Sequence, residues 1–281
     1  MTMNKKTIKK ITYHILILAF GFVMVYPVLW MISGSLKDNS EILTGSLNLI
    51  PDVFRWENFA NGWRGFGGIS FSVFFRNSLF VAVVSTIGTV LSSACIAYAF
   101  SRIKFKGSKF WFGVMLATMM LPFQVILIPQ YIIFHRLGLV GTYLPILIPN
   151  FIGRAFFIYL MMQFMVSIPK ELDEAAIMDG CNKYTVFTRI IFPLLRPALI
   201  TSAIIQFYWA WDDFMGPLIY LQRPQMFTVS IALRNFADTT SVTDWGAMFA
   251  MSTLSLLPVF VMFLFFNKQL VEGISTTGVK G

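Results

Sequence analysis

An all-α integral membrane protein with six transmembrane helices is the fold class this sequence predicts, on three observations. Hydrophobic residues fill 57% of the 281 positions and charged residues only 12%, far from the balance of a soluble domain. Mean hydropathy is +0.71. The apolar residues come as long runs of spanning length, with the charges collected in short stretches between them. Thirty Phe, 16 Met and 7 Trp suit lipid-facing and interfacial surface. The net charge of +9 is a matter of which membrane face carries it, and no nucleic-acid partner is expected. Cys95 lies in an apolar run and Cys181 in a polar one, which supports neither a disulfide framework nor a metal site.

Residues 1–14 carry Lys5, Lys6, Lys9 and Lys10 and precede an apolar run to about Ile32. That run is longer than a signal-peptide core and lacks a small-residue cleavage site, so it reads as a retained first span with its N-terminus inside. Residues 36–77 are a polar, glycine-containing connector whose aromatics (Phe54, Trp56, Phe59, Trp63, Phe66) place it along the outer membrane surface. The second span is expected at about Ser78–Phe100 and the third at Phe110–Ile133. The fourth is expected at Leu144–Val166, the fifth at Ala198–Leu221 and the sixth at Gly246–Phe266. The organisation is then an N-terminal tail 1–14, a six-span transmembrane domain 15–266 with an interior loop 167–197, and a C-terminal tail 267–281. Inside segments hold fourteen Lys and Arg and outside segments seven, which puts both termini in the cytoplasm. Pro122, Pro129, Pro145, Pro149, Pro217 and Pro258 all fall in spans, and six together favour helices broken around a path.

The stretch Ile168–Pro197 is a charged island between two apolar runs. Pro169 suits a first helical position, Gly180 a left-handed stop and Asn182 the cap of a second helix. Tyr184, Phe187, Ile191 and Leu194 share one apolar face of that second helix. Glu174, Ala175, Ala176, Gly180, Ile190 and Pro193 stand at the spacing E-A-A-x3-G-x9-I-x-x-P, with Phe192 where Leu is usual. This resembles the EAA loop of ABC importer permeases. The resemblance implies that the loop is a cytoplasmic coupling helix seated in a groove of an ATPase subunit, with Asp179 on the same element.

Other stretches narrow the likeness. A-Y-A-F-S-R-I-K-F-K-G at 97–107, L-P-F-Q-V-I-L-I-P-Q-Y at 121–131, L-G-L-V-G-T-Y at 137–143 and G-V-K-G at 278–281 resemble carbohydrate permeases of the maltose-importer type. The matching subunit there has a C-terminal tail reaching the ATPase, which implies that role for Gly278, Val279, Lys280 and Gly281. Also implied are a second permease subunit, two ATPase subunits, an extracytoplasmic solute-binding protein, a carbohydrate substrate and a place in the bacterial inner membrane. No G-x-x-x-x-G-K-[ST] phosphate loop occurs, so ATP hydrolysis is expected on a partner chain.

No cofactor or metal is expected, and H-E-x-x-H and G-x-S-x-G are absent. The candidates for a translocation path are Tyr208, Trp209, Trp211, Asp212 and Asp213 on the fifth span and Arg154 on the fourth. Counting ~1.5 Å per residue from Ala198 puts Asp212 roughly 21 Å into a core of roughly 30 Å. Intramembrane charges are costly unless paired or facing a polar cavity, and aromatic faces beside carboxylates suit sugars. Trp211, Asp212, Asp213 and Phe214 resemble the family's W-N-D-F, with Asp212 a departure from its neutral residue. Arg154, roughly 15 Å deep, is expected to pair with Asp212 or Asp213. The alternative function is an ion-gradient-driven secondary transporter or channel, which explains the buried charges and leaves the E-A-A-x3-G island unexplained.

Overall fold

The computed structural model describes residues 5–45, 48–236 and 244–278. Helices carry nearly all of them, and the β-structure among the described residues is one isolated bridge, Phe66–Ile69. The chain begins with α1 (Lys5–Gly34), and short helices α2 (Asn39–Leu43) and α3 (Glu57–Arg64) follow in the first connector. Next comes α4 (Phe71–Arg102), 32 residues without a break.

The third apolar run, expected as a span over Phe110–Ile133, is broken. It divides into α5 (Ser108–Met119) and α6 (Phe123–Arg136), whose axes meet at 102°. Pro122 is the cause: it has no N–H to continue the ladder, and it disfavours helical backbone at Leu121 before it. The fourth run is broken as well, into α7 (Leu144–Leu147), a 3-10 turn at Ile148–Phe151 and α8 (Ala155–Val166). Pro145 and Pro149 sit at the starts of the first two pieces, where a missing N–H costs nothing.

After α8 come α9 (Glu171–Met178), α10 (Lys183–Val186), a π-helical turn at Phe187–Ile191 and α11 (Phe192–Leu194). A 74° bend separates Lys183–Leu194 from α12 (Arg196–Asp212). The chain opens again at Asp213, then forms α13 (Met215–Tyr220) and α14 (Val229–Phe236). Last is α15 (Trp245–Gly278), which runs through Pro258 and beyond the expected end of the sixth span. Among the described residues, four stretches are long and apolar enough to cross a membrane, namely Lys9–Gly34, Phe71–Arg102, Leu144–Val166 and Trp245–Phe266; the two bent pairs bring the total to six if each is one span.

The chain divides into two compact units. One takes the chain through Ser72 together with Ala232–Leu257. In it α1 exposes apolar side chains from Ile11 to Val25, as a lipid-facing helix does. Its last turns are covered: Trp30 stands edge-on to Phe249 at 5.2 Å. The connector is held by a buried clasp. Lys37, only 2% exposed, pairs with Glu41 at 3.2 Å and donates to the Asn48 carbonyl. The Asn58 amide donates to the carbonyls of Ser35 at 3.1 Å and Lys37 at 2.8 Å.

The other unit takes Val73–Ile231 with the chain from Pro258. Along α4, Ser78, Ala82, Ser85, Thr89, Ser93 and Ala97 are all buried, a stripe of small residues at three- and four-residue steps. Small side chains let neighbouring backbones approach, and their hydroxyls can bond across helices. The core beside this stripe joins Ala94 and Ala97 of α4 to Ile158, Met161 and Met165 of α8, Ala176 of α9, Val186 of α10, and Leu195 and Ala198 at the start of α12.

The Lys37 clasp makes a prediction. Removing one member of a buried ion pair strands the other charge, at a cost of about 3–5 kcal/mol, whereas removing both is close to neutral. Lys37→Met is expected to lower the apparent melting temperature of the detergent-solubilised protein, and Lys37→Met with Glu41→Leu to recover most of the loss, read by intrinsic fluorescence on heating.

Candidate functional site

Two sets of residues singled out by the sequence come together in the larger unit. The first is the segment 168–197. α9 begins at Glu171, two residues later than Pro169 suggested, and ends at Met178, with Asp179 as its C-cap. Gly180 follows with φ +84°, the left-handed turn that a β-carbon disfavours. The Asn182 side chain accepts from the Thr185 amide at 2.8 Å and starts α10. Ala176 faces inward and is 7% exposed, while Glu174, Ala175 and Asp179 face out. Ile190 packs at the edge of the core and Pro193 is exposed. The expected apolar face of the second helix is only half buried: Ile191 is at 0% exposure, but Tyr184 is at 75%. The π turn at Phe187–Ile191 rotates the helix partway, so residues on its two sides do not share one face.

Side chains outside the segment hold it. The Arg102 guanidinium, at the end of α4, donates to the Ile168 carbonyl at 2.6 Å and the Met165 carbonyl at 3.3 Å. It also pairs with Asp173 in the first turn of α9 at 3.0 Å. Burial holds the Asp173 carboxyl above the usual carboxylate range, and Arg102 draws it back down. One helical turn earlier on α4, the Tyr98 hydroxyl donates to the Lys183 carbonyl at 3.1 Å. None of these ties follows from the sequence. The signal for Arg102 was a lone Arg closing a span four residues after a Tyr.

The second set lines a cavity of about 780 Å³ bounded by α4, α6, the broken 144–154 stretch, α12 and α13. Arg154, Trp209, Asp212 and Asp213 all reach it. Tyr208 is not among the lining residues, and Trp211 is turned into packing with Phe75 and Phe207. Arg154 does not sit within a helix as expected. It occupies the extended residue before α8, at φ −110° and ψ 126°, where Gly153 takes φ +82°. A β-carbon on Gly153 would lie 2.5 Å from the tip of the Ile96 side chain, which can shift, so it is the backbone conformation that requires glycine.

The expected ion pair of Arg154 with Asp212 or Asp213 is not formed, since neither carboxylate lies within 4.0 Å of the guanidinium. Arg154 Nη1 instead donates to Gln206 Oε1 at 3.0 Å, and the guanidinium carbon lies 5.9 Å from the centre of the Trp209 ring. Asp213 has a local partner, accepting from the Gly216 amide at 3.1 Å at the start of α13. Asp212 is exposed to the cavity.

Gln206 and Asn150 are site residues that the sequence does not single out. The Gln206 amide donates to Asn150 Oδ1 at 3.2 Å, and Asn150 Oδ1 also accepts from the Thr89 hydroxyl at 3.1 Å. Asn150 Nδ2 donates to Ser85 at 3.2 Å and to the Ile146 carbonyl at 2.8 Å. All four hydrogen-bonding positions of the Asn150 amide are therefore used. A satisfied network of this kind is rigid and fixes the one charge at its end. The cavity thus offers a cation over an indole face, a carboxylate and a fixed amide, which suit a neutral polyhydroxylated ligand. Gln206, Trp209 and Asp213 stand at i, i+3 and i+7, the spacing of one helix face although Asp213 falls just past the end of α12, and that spacing was the available signal.

Comparison with known proteins follows the same lines. A family described as the binding-protein-dependent transport system inner membrane component matches residues 88–275. The chain is 38% identical over 259 residues to YurM of Bacillus subtilis (strain 168), a probable ABC transporter permease, covering 92% of this chain and 84% of that one. It is 30% identical over 263 residues to AraQ of Halalkalibacterium halodurans, an arabinooligosaccharides transport system permease, covering 93% of each chain. A chain of a solved bacterial ABC transporter that imports the acidic polysaccharide alginate superposes with a TM-score of 0.84, covering 95% of this chain and 98% of that one; at 21% identity this likeness concerns the fold. With the family match spanning most of the chain, the protein belongs to the binding-protein-dependent transport system inner membrane component family, the membrane permease subunits of ABC importers.

Proposed function

We propose that this chain is one of two permease subunits of a carbohydrate importer of the bacterial inner membrane, six spans long with both termini in the cytoplasm. In this reading two ATPase subunits drive it, a solute-binding protein delivers the sugar, and the unit carrying Arg154 forms part of the path. The sugar assignment rests on the oligosaccharide named for the AraQ relative and on the chemistry of the cavity. Six spans follow if the bent α5–α6 pair counts as one crossing and the fifth crossing begins with α12, beyond the 74° bend, which leaves Lys183–Leu194 in the loop. The excess of Lys and Arg in the loops on one side then sets the orientation. Membership of the importer family gives no support to the ion-gradient alternative.

One observation carries the assignment of 171–194 as the coupling element. It is a polar loop, yet it exposes Leu172 (42%), Ile177 (52%), Met178 (87%) and Tyr184 (75%) around the outward Glu174. A cluster of exposed large apolar side chains on a water-facing loop marks a protein contact. An ATPase groove receiving these side chains, with a cation for Glu174, accounts for the E-A-A spacing: a small residue, Ala176, where the helix packs on the bundle, and a carboxylate where it meets the partner. ATP-driven closure of the ATPase pair then displaces α9 and re-aims the spans, giving alternating access. The tail assigned to the ATPase leaves α15 at Gly278, and Val279, Lys280 and Gly281 lie outside the described residues.

Gly180 tests the coupling element. No atom lies within 4 Å of an added β-carbon there, so Gly180→Val acts through backbone strain of about 1–2 kcal/mol and not through a clash. Gly180→Val and Glu174→Ala are each expected to reduce the ATPase retained by the affinity-purified permease, with insertion unchanged. Wild-type retention by both variants rejects the assignment.

Gln206 tests the path. Gln206→Leu takes the acceptor from Arg154 and a donor from Asn150. Unsatisfied buried polar groups cost about 1–3 kcal/mol, so uptake from a panel of labelled oligosaccharides is expected to fall roughly tenfold. Trp211→Phe, away from the cavity, is the control and is expected to transport normally.

A further inference from the structure

Arg102 has no part in the path or in the outward face of the coupling element, yet it is one of the most connected side chains in the unit. Its Nη2 bonds the carbonyls of Met165 and Ile168, at the end of α8, where a helix leaves its last carbonyls without partners. Its Nε meets Asp173 Oδ2 at 3.0 Å. The Arg102 and Asp173 side chains are 5% and 12% exposed. A single guanidinium at the end of α4 therefore bonds two carbonyls at the end of α8 and sets its charge against the carboxylate of the helix that carries the E-A-A residues. Lysine has no such geometry, because a point-like ammonium does not hold two carbonyls in fixed directions while keeping its charge beside the carboxylate.

The energetics argue for a role other than stability. A buried ion pair contributes little net stability relative to apolar residues of the same shape. This pair is also incompletely satisfied: Arg102 Nε and Asp173 Oδ1 are both buried without a hydrogen-bond partner, so the 3.0 Å approach is an ion contact without hydrogen-bond alignment. Near it, α9 is otherwise lightly held. Two of its eight residues, Asp173 and Ala176, are buried, and Ala176 offers one methyl group to the core. A helix attached mainly through apolar contact with an alanine can slide or roll when pulled. The Arg102 guanidinium opposes such motion, and the Tyr98 bond to the Lys183 carbonyl secures the following helix to the same face of α4.

We infer that Arg102 is a positioning residue for transport: it locks α9 to the ends of α4 and α8, so that force applied to the coupling element moves those two helices with it. The inference rests on the reading of 171–194 as the ATPase-coupling element.

The test uses the assembled importer in lipid nanodiscs, with ATP and vanadate as the probe. Cys95 and Cys181 are first replaced by Ser. Nitroxides are then placed at Leu91→Cys on α4 and Lys170→Cys at the start of α9, both exposed positions. With Arg102 intact, the interspin distance is expected to be narrow and unchanged on trapping with ATP and vanadate, because the two helices travel together. In Arg102→Met with Asp173→Leu, which strands no charge and folds in wild-type amount, the distribution is expected to broaden and shift on trapping. The rate of ATP hydrolysis evoked by the solute-binding protein is expected to drop roughly fivefold or more, the lower range of coupling between sites. Arg102→Lys keeps the charge and loses the guanidinium, and is expected to broaden the distribution in the same direction. A double variant whose label distance stays narrow through trapping, with hydrolysis as in the wild type, overturns the inference and leaves Arg102 a structural residue. Wild-type preparations that retain no ATPase instead sink the coupling assignment, and the inference with it.

Discussion

A backbone amide released from a helix inside a bilayer has no water to bond, and this constraint governs the larger unit. The fourth apolar run opens at residues 152–154, and protein groups supply what the solvent cannot. The Ser93 hydroxyl accepts from the Arg154 amide at 3.3 Å, and the Ser92 hydroxyl donates to the Asn150 carbonyl at 3.2 Å. Both serines belong to α4, whose stripe of small residues lets the broken stretch come close enough for these bonds to form. The unbroken α4 is thus what makes the broken neighbour possible. The break in turn moves Arg154 out of a helix and into the cavity.

The same helix organises the polar end of the unit. Ser85, Thr89 and Ser93 serve the Asn150–Gln206–Arg154 network, while Tyr98 and Arg102, further along, hold the 168–197 segment. The site read as the path and the element read as the ATPase contact therefore hang on one rod. A rigid rod with hydrogen-bonded ends is suited to carrying a displacement, because its two ends cannot move independently without breaking several bonds at once. This gives a physical form to coupling across a membrane, in which one packed element with polar anchors links two sites.

The two carboxylates of the fifth run illustrate how position decides role. Asp212 and Asp213 are neighbours in sequence, yet one opens to the cavity and the other caps the start of α13. The chain leaves the helix at Asp213, at φ −62° and ψ 116°, and its oxygen takes the Gly216 amide that this exit frees. Asp213 thus has the ordinary task of closing a helix break, and Asp212 is the carboxylate left exposed at the cavity wall. Arg154 is satisfied by an amide oxygen, so it remains a cation in the cavity and is not neutralised by an adjacent acid.

Much of this was legible in residues alone. Apolar runs of spanning length follow from composition, because the bilayer admits little else, and the E-A-A-x3-G spacing places a small inward residue, an outward acid and a left-handed turn in fixed order. Gly180 and Asn182 do in the structure what their chemistry suggests. Which apolar runs are broken was legible only in part: Pro122 marks one break, but Pro129 and Pro258 sit inside continuous helices. A proline removes one hydrogen bond wherever it stands, and whether the helix survives depends on what packs around the freed carbonyl. Partner choice lay beyond the sequence altogether. Opposite charges at similar depth suggested an Arg154–Asp pair, but side chains a few ångströms apart in height can point to different sides of a helix, and Gln206 stands on the side Arg154 faces. Arg102 and Asp173 lie 71 positions apart by their numbering, with two apolar runs between them. Their meeting depends on how α8 returns beside α4, which long-range packing decides and no local pattern encodes.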